Sequence, residues 1–563
     1  MLDLIKTEKG EPKRFILRET SSTINSIYNL LQGQIPGLVS RKDEDGKVFL
    51  TLPPDELNIY TLKRYIPNIK LTSEAEQFRQ DAMQRRRLLI DIKKSDYRYL
   101  HKFLYNFQKA DVEFMDVAEC ALNANVQGSG KTIDAIALIE KLFNRKEQKN
   151  VNVLIVVPNS LKFYWQKEIK RFINKDSTIG ESKTFSKLHP IKPNKDNILI
   201  INYEMLRKDK FKELFETYWD LIVLDEAHKI KTRGSQQSRG AKKLNSNYKT
   251  LLTGSPCPNN PQELWSLLNF LYPKRFKSYW QFIERFCIQT IVPYAPVPIV
   301  TGLRNTASLK YMLDSIMVRR SSEEVLKDLP EKRYKTIELI MEGKQKELYE
   351  NMEKEMFFKL DSGESIEAAI PLTKIIRLRQ LTLSPAIFGV NNIGVKTQAI
   401  LDILEDSTDE KLVIFSMSKL YINFLSKLLN ERGYWNFVKI TGDASLEDRQ
   451  KAIDSFTNNP DIKLFMATLQ VGGEGLNLQI ASTLIFADKS WSPAQNEQGS
   501  NRIYRFGQKN KTLIISLICK DSIDESVEKT LKSKSKIINK LMLLVETFQN
   551  DLRSRYKNEC KVI

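Results

Sequence analysis

Cysteine and histidine are scarce in this chain. Its 563 residues include five cysteines (Cys120, Cys257, Cys287, Cys519 and Cys560), none in a CxxC pair, and three histidines (His101, His189 and His228). That spacing argues against a structural zinc site and against a disulfide framework, and isolated thiols fit a reducing compartment. Long apolar runs are missing as well: none approaches the roughly 18 residues that a membrane span needs. The opening MLDLIKTEKGEPKR has no apolar core of the kind a secretory signal carries. There is no low-complexity tract and no short-period repeat. Acidic residues fall short of basic ones, 69 against 88, for a formal net charge of +19. Such a balance suits a polyanionic partner, because neutralised phosphates release counterions. A merely lysine-rich surface would read the same way.

The composition that is present suffices for folding. Hydrophobic residues make up 41% of the chain, enough for sizeable cores, and the length suggests about three or four domains. From about residue 100 to 255, short and nearly continuous apolar runs recur at Val151–Val157, Ile198–Asn202, Leu221–Leu224 and Thr250–Thr253. Runs of this kind are strands buried on both faces, and the polar stretches between them are crossover helices, which together predict a parallel sheet. Residues 256–330 break the pattern with aromatics and the proline cluster of residues 292–300, and read as an insertion or a hinge. A second series follows at Leu412–Phe415, Phe437–Thr441, Leu464–Thr468, Leu484–Ala487 and Leu513–Ile518. The runs predict an α/β fold class of two lobes in tandem, with an N-terminal accessory segment and helical insertions; that the lobes are RecA-like P-loop lobes, the first of them ATP-binding, is what the family resemblance of the motifs below implies. The expected domains are an accessory segment (1–95), a first, ATP-binding lobe (96–325), a linker or brace (326–345), a second lobe (346–520) and a helical tail (521–563).

Three motifs carry chemistry. Gly128-Ser129-Gly130-Lys131-Thr132 follows the apolar run Cys120–Leu122 and precedes a helix-like IDAIALIEKLF. Glycines let backbone N–H groups close around phosphate oxygens, and the helix presents its positive end to the same anion. Lys131 would reach the β and γ phosphates and the Thr132 hydroxyl would ligate magnesium. The strict P-loop pattern wants glycine where Asn125 stands. Asp225-Glu226-Ala227-His228 follows the strand LIVL, at the strand end where ligands bind in open α/β sheets. Asp225 would hold Mg²⁺, and Glu226 would orient and deprotonate the attacking water. Gln498 and Arg502-Ile503-Tyr504-Arg505 form the third motif. If that segment is helical, its two arginines share a face, and an arginine supplied across a cleft can stabilise γ-phosphate charge.

Further motifs complete a resemblance. Leu104–Gln108 with Val112–Met115, Leu154–Pro158 with Trp165, Asp225–Lys231, Leu252–Pro256 with Glu263–Leu271, Arg319-Arg320 with Leu329-Pro330, Gly472–Leu478, Asp488, Trp491–Pro493 and Arg502–Gln508 occur in that order. The set resembles the Swi/Snf-type ATPases of helicase superfamily two, with a lean towards the annealing helicases in Asn305 to Lys332.

The resemblance implies ATP and Mg²⁺ as cofactors, with adenine read by Gln108. Nucleotide would be held by Gln127, Gly128, Ser129, Gly130, Lys131, Thr132, Gly475 and Gln498, and catalysis would involve Lys131, Asp225, Glu226, His228, Arg502 and Arg505. Thr253, Ser255, Ser416 and Thr468 are implied as coupling or phosphate contacts, though each could equally be a strand-end hydroxyl capping a helix. Arg319-Arg320 resembles an inter-lobe arginine motif. The family usually has an acidic pair where Asn125 and Val126 stand and a bulky apolar residue at Ser129, and Ser255 replaces a threonine.

The implied function is an ATP-dependent translocase on double-stranded or branched DNA that remodels DNA–protein complexes. The alternatives are a strand-separating or annealing helicase and, less favoured, a non-catalytic clamp. A chain this short has no room for the histone-reading modules of large remodellers, so the expected setting is cytoplasmic, nucleoid-associated, and bacterial, phage or archaeal. Residues 1–95, which carry Arg85–Arg87, would either choose the DNA structure or cap the first lobe.

Overall fold

Side chains along the apolar strands alternate between two cores, and that period of two settles the architecture. The computed structural model describes all residues except 7–11, 33, 36–37, 95–103, 145–149, 181–195, 208–210, 292–297, 326–329, 356, 360–364, 368–369, 408–409, 434–435, 473–475, 506–507 and 560–563. The chain divides into two compact units. The first comprises Met1–Val126, Gly130–Val325 and Ile537–Ile563; the second comprises Gln127–Ser129 and Leu326–Lys536.

In the first unit, Leu154, Val156, Leu199, Ile201, Ile222 and Leu224 face one core. Their neighbours Val153, Ile155, Val157, Ile198, Ile200 and Val223 face the other. A sheet covered by helices on both sides demands this continuous burial. The strands lie in the order Met317–Val318, Cys120–Asn123, Lys249–Leu252, Leu221–Asp225, Asn152–Val157, Asn197–Asn202 and Thr178–Ile179, and every pairing is parallel. Asn123, Leu252 and Asp225 are in register across three adjacent strands. Their C-terminal ends therefore open at one level, which is where such sheets bind ligands.

The second unit repeats the plan. Its parallel strands run Lys332–Leu339, Thr512–Cys519, Thr483–Phe486, Leu412–Ser416, Leu464–Thr468 and Phe437–Ile440. Leu412, Ile414 and Met466 enter one core, and Val413, Phe415 and Phe465 the other. Residues 332–339 of the expected linker are thus an edge strand of this sheet. The tail is a helix, Ile523–Glu559.

Of the stretch 256–330, residues 256–325 fall within the first unit, and the second unit begins at Leu326. The stretch contains the helices Leu264–Leu271, Tyr279–Phe286 and Thr306–Leu313 and a hairpin of Cys287–Thr290 with Ile299–Leu303. The proline cluster lies mostly outside the described residues.

The N-terminal segment builds an antiparallel sheet in the order Leu2–Lys6, Pro12–Arg18, Val48–Leu52 and Val39–Lys42. Leu2, Leu4, Phe15, Leu17, Leu50 and Leu52 supply its own core. It is fastened to the rest of the first unit by charge and aromatics. Arg86 donates to Asp314 Oδ2 at 2.9 Å and lies 3.6 Å from the centroid of the Tyr311 ring, which stacks on Tyr60. Arg275 pairs with Asp55 at 2.7 Å, and the buried Arg285 donates to Thr61 Oγ1 at 2.9 Å. Arg86, the centre of the basic cluster, is therefore a fastener rather than a free DNA contact.

Candidate functional site

The P-loop is built where the strand Cys120–Asn123 passes into the helix Lys131–Phe143. Gly128 and Gly130 turn the chain at φ of +82° and +85°, conformations that side chains with a Cβ rarely adopt. At Gly130 space is also limiting, because an added Cβ would lie 2.4 Å from Gln108 Nε2. Gln108 is buried, accepts from the Tyr105 N–H at 3.0 Å and hydrogen-bonds Asp134. The glutamine read as the adenine contact thus packs directly against the loop.

Lys131 folds back over that loop. Its ammonium donates to the carbonyls of Asn125 at 2.8 Å and Val126 at 3.0 Å. Burial pulls its pKa down, while the charges of Glu226, Asp225 and Asp134 oppose the drop. The carboxylates after the strand Leu221–Asp225 are therefore the electrostatic counterpart of the P-loop lysine.

Asp225 is held from three sides. Trp165 Nε1 donates to Oδ2 at 2.9 Å, the Glu226 N–H donates to Oδ1 at 2.9 Å, and the Tyr203 hydroxyl donates to the Asp225 carbonyl at 2.6 Å. Burial and then the Glu226 charge push the Asp225 carboxyl up to about 6. Glu226 turns the chain at φ +49°, and its Oε2 lies 3.3 Å from His228 Nδ1. His228 Nδ1 also lies 3.5 Å from Thr253 Oγ1. In the sequence Trp165 stands out only as part of a motif, and Tyr203 not at all. An indole or phenol hydrogen bond to a strand some 20 to 60 residues away leaves no local signal.

The strand-end hydroxyls divide. Thr253 and Ser416 are both fully buried. Thr253 Oγ1 accepts from the Ser255 N–H at 3.1 Å, and Ser416 Oγ accepts from the Ser418 N–H at 3.1 Å while donating to Asp488 Oδ1 at 2.5 Å. Both behave as turn caps. Ser255 is half-buried beside Thr253, and Thr468 is aligned with Ser416 across the second sheet.

In the second unit the helix Pro493–Ser500 carries Gln498 but ends before the arginines. Arg502 and Arg505 therefore sit in a turn, and the helical condition placed on their spacing is not met. The turn is fixed by other means. Ile503 is fully buried, and Gln508 Nε2 lies 2.9, 2.9 and 3.0 Å from the carbonyls of Gln479, Ala481 and Ile503. Gly475 lies outside the described residues. Among the described residues no cluster of three or more His, Cys, Asp or Glu could hold a metal by itself, and no helix is long and apolar enough to cross a membrane.

Arg319 and Arg320, read as an inter-lobe motif, are engaged within the first unit. Arg319 Nη1 donates to the Ala124 carbonyl at 2.8 Å, and Arg320 pairs with the buried Asp111 at 2.7 Å.

The model of the SNF2-related domain matches residues 107–387, and that of the helicase conserved C-terminal domain matches residues 395–507. The chain is similar to the chromatin structure-remodeling complex subunit snf21 of Schizosaccharomyces pombe, at 30% identity over 72% of this chain and 36% of that protein. It is similar to the human SWI/SNF-related matrix-associated actin-dependent regulator of chromatin subfamily A member 1, at 28% over 74% of this chain and 41% of that one. It is also similar to the bovine DNA excision repair protein ERCC-6-like, at 26% over 78% of this chain and 42% of that protein. The chain thus spans well under half the length of these relatives. Among solved structures, the Sulfolobus solfataricus SWI2/SNF2 ATPase core in complex with double-stranded DNA matches at a TM-score of 0.38 and 23% identity, over 81% of this chain and 95% of that one. The curated relatives lend no support to the annealing-helicase lean. Nor do the relatives named here, all eukaryotic, support the expected cytoplasmic setting in a bacterium, phage or archaeon; another relative, from Saccharomyces cerevisiae, is named a nuclear protein.

Proposed function

Because the chain belongs to the Swi/Snf family of SNF2-related ATPases, we propose that it is an ATP-driven motor that moves along double-stranded DNA and remodels DNA–protein complexes or branched DNA. The observation that carries this reading is the register of Asn123, Leu252 and Asp225, which sets the P-loop and two carboxylates at the C-terminal end of one sheet. A net charge of +19 suits a phosphate backbone. The relatives named as remodelling proteins support the same substrate class. A triplex-displacement assay tests translocation: an ATP-dependent release of the third strand, without separation of the underlying duplex, is expected, and unwinding of the duplex itself would favour the helicase alternative.

In this reading the backbone of Gly128–Thr132 cradles the phosphates and Lys131 leaves its two carbonyls to meet them. The donor set fits magnesium: a carboxyl crowded by a second carboxylate and by burial and the Thr132 hydroxyl are hard oxygen ligands, and this ion is commonly held by one or two carboxylates plus phosphate. The ion would neutralise phosphate charge. Glu226 takes the proton of the attacking water, with His228 beside it holding the carboxylate's orientation. By the resemblance, Arg502 and Arg505 would supply guanidinium charge to the γ-phosphate, and Gln108, Gln127, Ser129 and Gln498 would contact the nucleotide.

Glu226→Gln is expected to bind ATP normally and to hydrolyse it slower by roughly a hundredfold or more, because only the base is removed. Single-turnover hydrolysis beside nucleotide binding checks this, and loss of binding would mean that the two carboxylates have been given the wrong roles.

The N-terminal module is proposed to select the DNA structure. Its attachments through Arg86, Tyr60, Asp55 and Thr61 make its removal a poor test, since the packing against the rest of the first unit would go with it. Arg18 and Arg41 are exposed on its sheet. Changing both to glutamate is expected to weaken fork or junction binding and to lower the salt slope by about one for each phosphate no longer neutralised. Binding isotherms at several salt concentrations decide: an unchanged slope and an unchanged preference would leave the module as a cap.

A further inference from the structure

Behind the P-loop lies a buried polar cluster that the proposed chemistry does not use. Asp111, on the helix Asn106–Ala118, is fully buried. Its Oδ1 accepts from Arg320 Nε at 3.0 Å and Nη2 at 2.7 Å, and its Oδ2 accepts from Asn125 Nδ2 at 2.7 Å. Asn125 is fully buried too, and its Oδ1 accepts from the Arg320 N–H at 2.8 Å. Three residues thus close a ring: carboxylate to guanidinium, carboxylate to amide, amide to backbone.

The ring holds the peptide on which Lys131 rests. The carbonyls of Asn125 and Val126 accept the Lys131 ammonium at 2.8 and 3.0 Å. The same stretch is tied down by backbone bonds from Ala124 N to the Val318 carbonyl at 2.8 Å and from Val126 N to the Arg320 carbonyl at 3.4 Å. The position of those carbonyls, and so the ease with which Lys131 leaves them for a phosphate, depends on a network anchored at Asp111.

Charge explains why Asn125 is an amide here. The Swi/Snf-type motors usually carry an acid at that place. In this chain the acid that faces Arg320 comes from the helix instead. A carboxylate at position 125 would stand beside the Asp111 carboxylate, 2.7 Å from the present amide nitrogen, in a dry site where crowded like charge is expensive.

We propose that Asp111, Asn125 and Arg320 are positioning residues for the P-loop lysine, with the one acid of the ring supplied by the helix and the amide by the loop. The inference rests on the ATPase reading only for the role of Lys131, since the network itself is geometric.

The test is a charge exchange. Asn125→Asp, Asp111→Asn and the double variant are prepared in the full chain, with Arg320→Lys as a fourth variant that keeps the charge and gives up the planar fork. Affinity for a fluorescent ATP analogue, kcat and KM with saturating duplex DNA, and melting temperature are measured for each. Each single variant should lose affinity and kcat/KM by roughly tenfold or more, and the double variant should recover most of both, a coupling of the size that touching residues show. Arg320→Lys should fall between wild type and Asp111→Asn.

A lowered melting temperature with unchanged affinity and kcat/KM in the folded protein would reduce the ring to a stability element and overturn the proposal. So would a double variant no better than the worse single one. If Asn125→Asp does not fold, the double variant decides: folding with restored affinity supports the exchange, while folding without it, or no folding at all, contradicts it. A wild-type protein that binds the analogue but does not hydrolyse ATP would defeat the ATPase reading and leave the binding arm of this test intact.

Discussion

Lys131→Ala is expected to lower DNA-stimulated ATP hydrolysis by at least about a hundredfold, with the fold retained. Lys131 is the cation that its own surroundings select. It is half-buried, and the loss of solvent disfavours its charge, yet Glu226, Asp225 and Asp134 counter that effect. Its ammonium rests on two loop carbonyls at 2.8 and 3.0 Å, which water can satisfy in the alanine variant. Charge delivered where the transferring phosphoryl group develops it acts far more strongly in a desolvated site than in water. The helix Lys131–Phe143 keeps its buried face of Ala135, Ile136, Leu138, Ile139 and Leu142, so the melting temperature should stay near that of the wild type. Turnover near wild type in a folded variant would remove the P-loop from the mechanism.

Arg505→Ala should leave ATP affinity within a small factor and cut DNA-stimulated turnover by roughly a thousandfold or more. An arginine that meets the phosphate only in the transition state contributes to kcat and not to ground-state binding. The residues around it are anchored independently of Arg505: Ile503 is fully buried, and Gln508 Nε2 is aimed at three carbonyls. The variant should therefore remain folded. Arg505→Lys should rescue poorly, because an ammonium lacks the planar fork. Nucleotide binding by fluorescence, beside turnover at saturating duplex DNA, separates the two effects. Full turnover in Arg505→Ala would mean that the second unit contributes no charge to hydrolysis.

The strands that position the site were legible because both faces of each sheet are buried. LIVL at Leu221–Leu224 and LFMAT at Leu464–Thr468 leave no other reading for so short an apolar run between polar helices. The strands that escape a reading of the sequence lack that burial or are too short to show it. Val39–Lys42 is an edge strand exposed along its whole length, and Met317–Val318 and Thr178–Ile179 are only two residues long. The helical condition on Arg502 and Arg505 failed because the helix stops at Ser500. Arg85–Arg87 reads as one basic cluster in sequence, but Arg86 alone reaches Asp314 and Tyr311, more than 200 residues away. The ring at Asn125 was illegible for the same reason: its carboxylate partner is 14 residues away and its arginine 195. The departure from the family at position 125 was visible in the sequence, whereas its contact with Asp111 required coordinates.

An ATPase driven by duplex DNA reveals itself most directly in steady-state ATP hydrolysis with double-stranded DNA, single-stranded DNA, forked DNA and RNA, measured in parallel at equal nucleotide concentration. Strong stimulation by double-stranded and forked DNA is expected, with weak stimulation by single-stranded DNA and RNA, and none in Lys131→Ala. Equal stimulation by RNA and duplex DNA, or hydrolysis indifferent to any nucleic acid, would show that the protein is not such a motor.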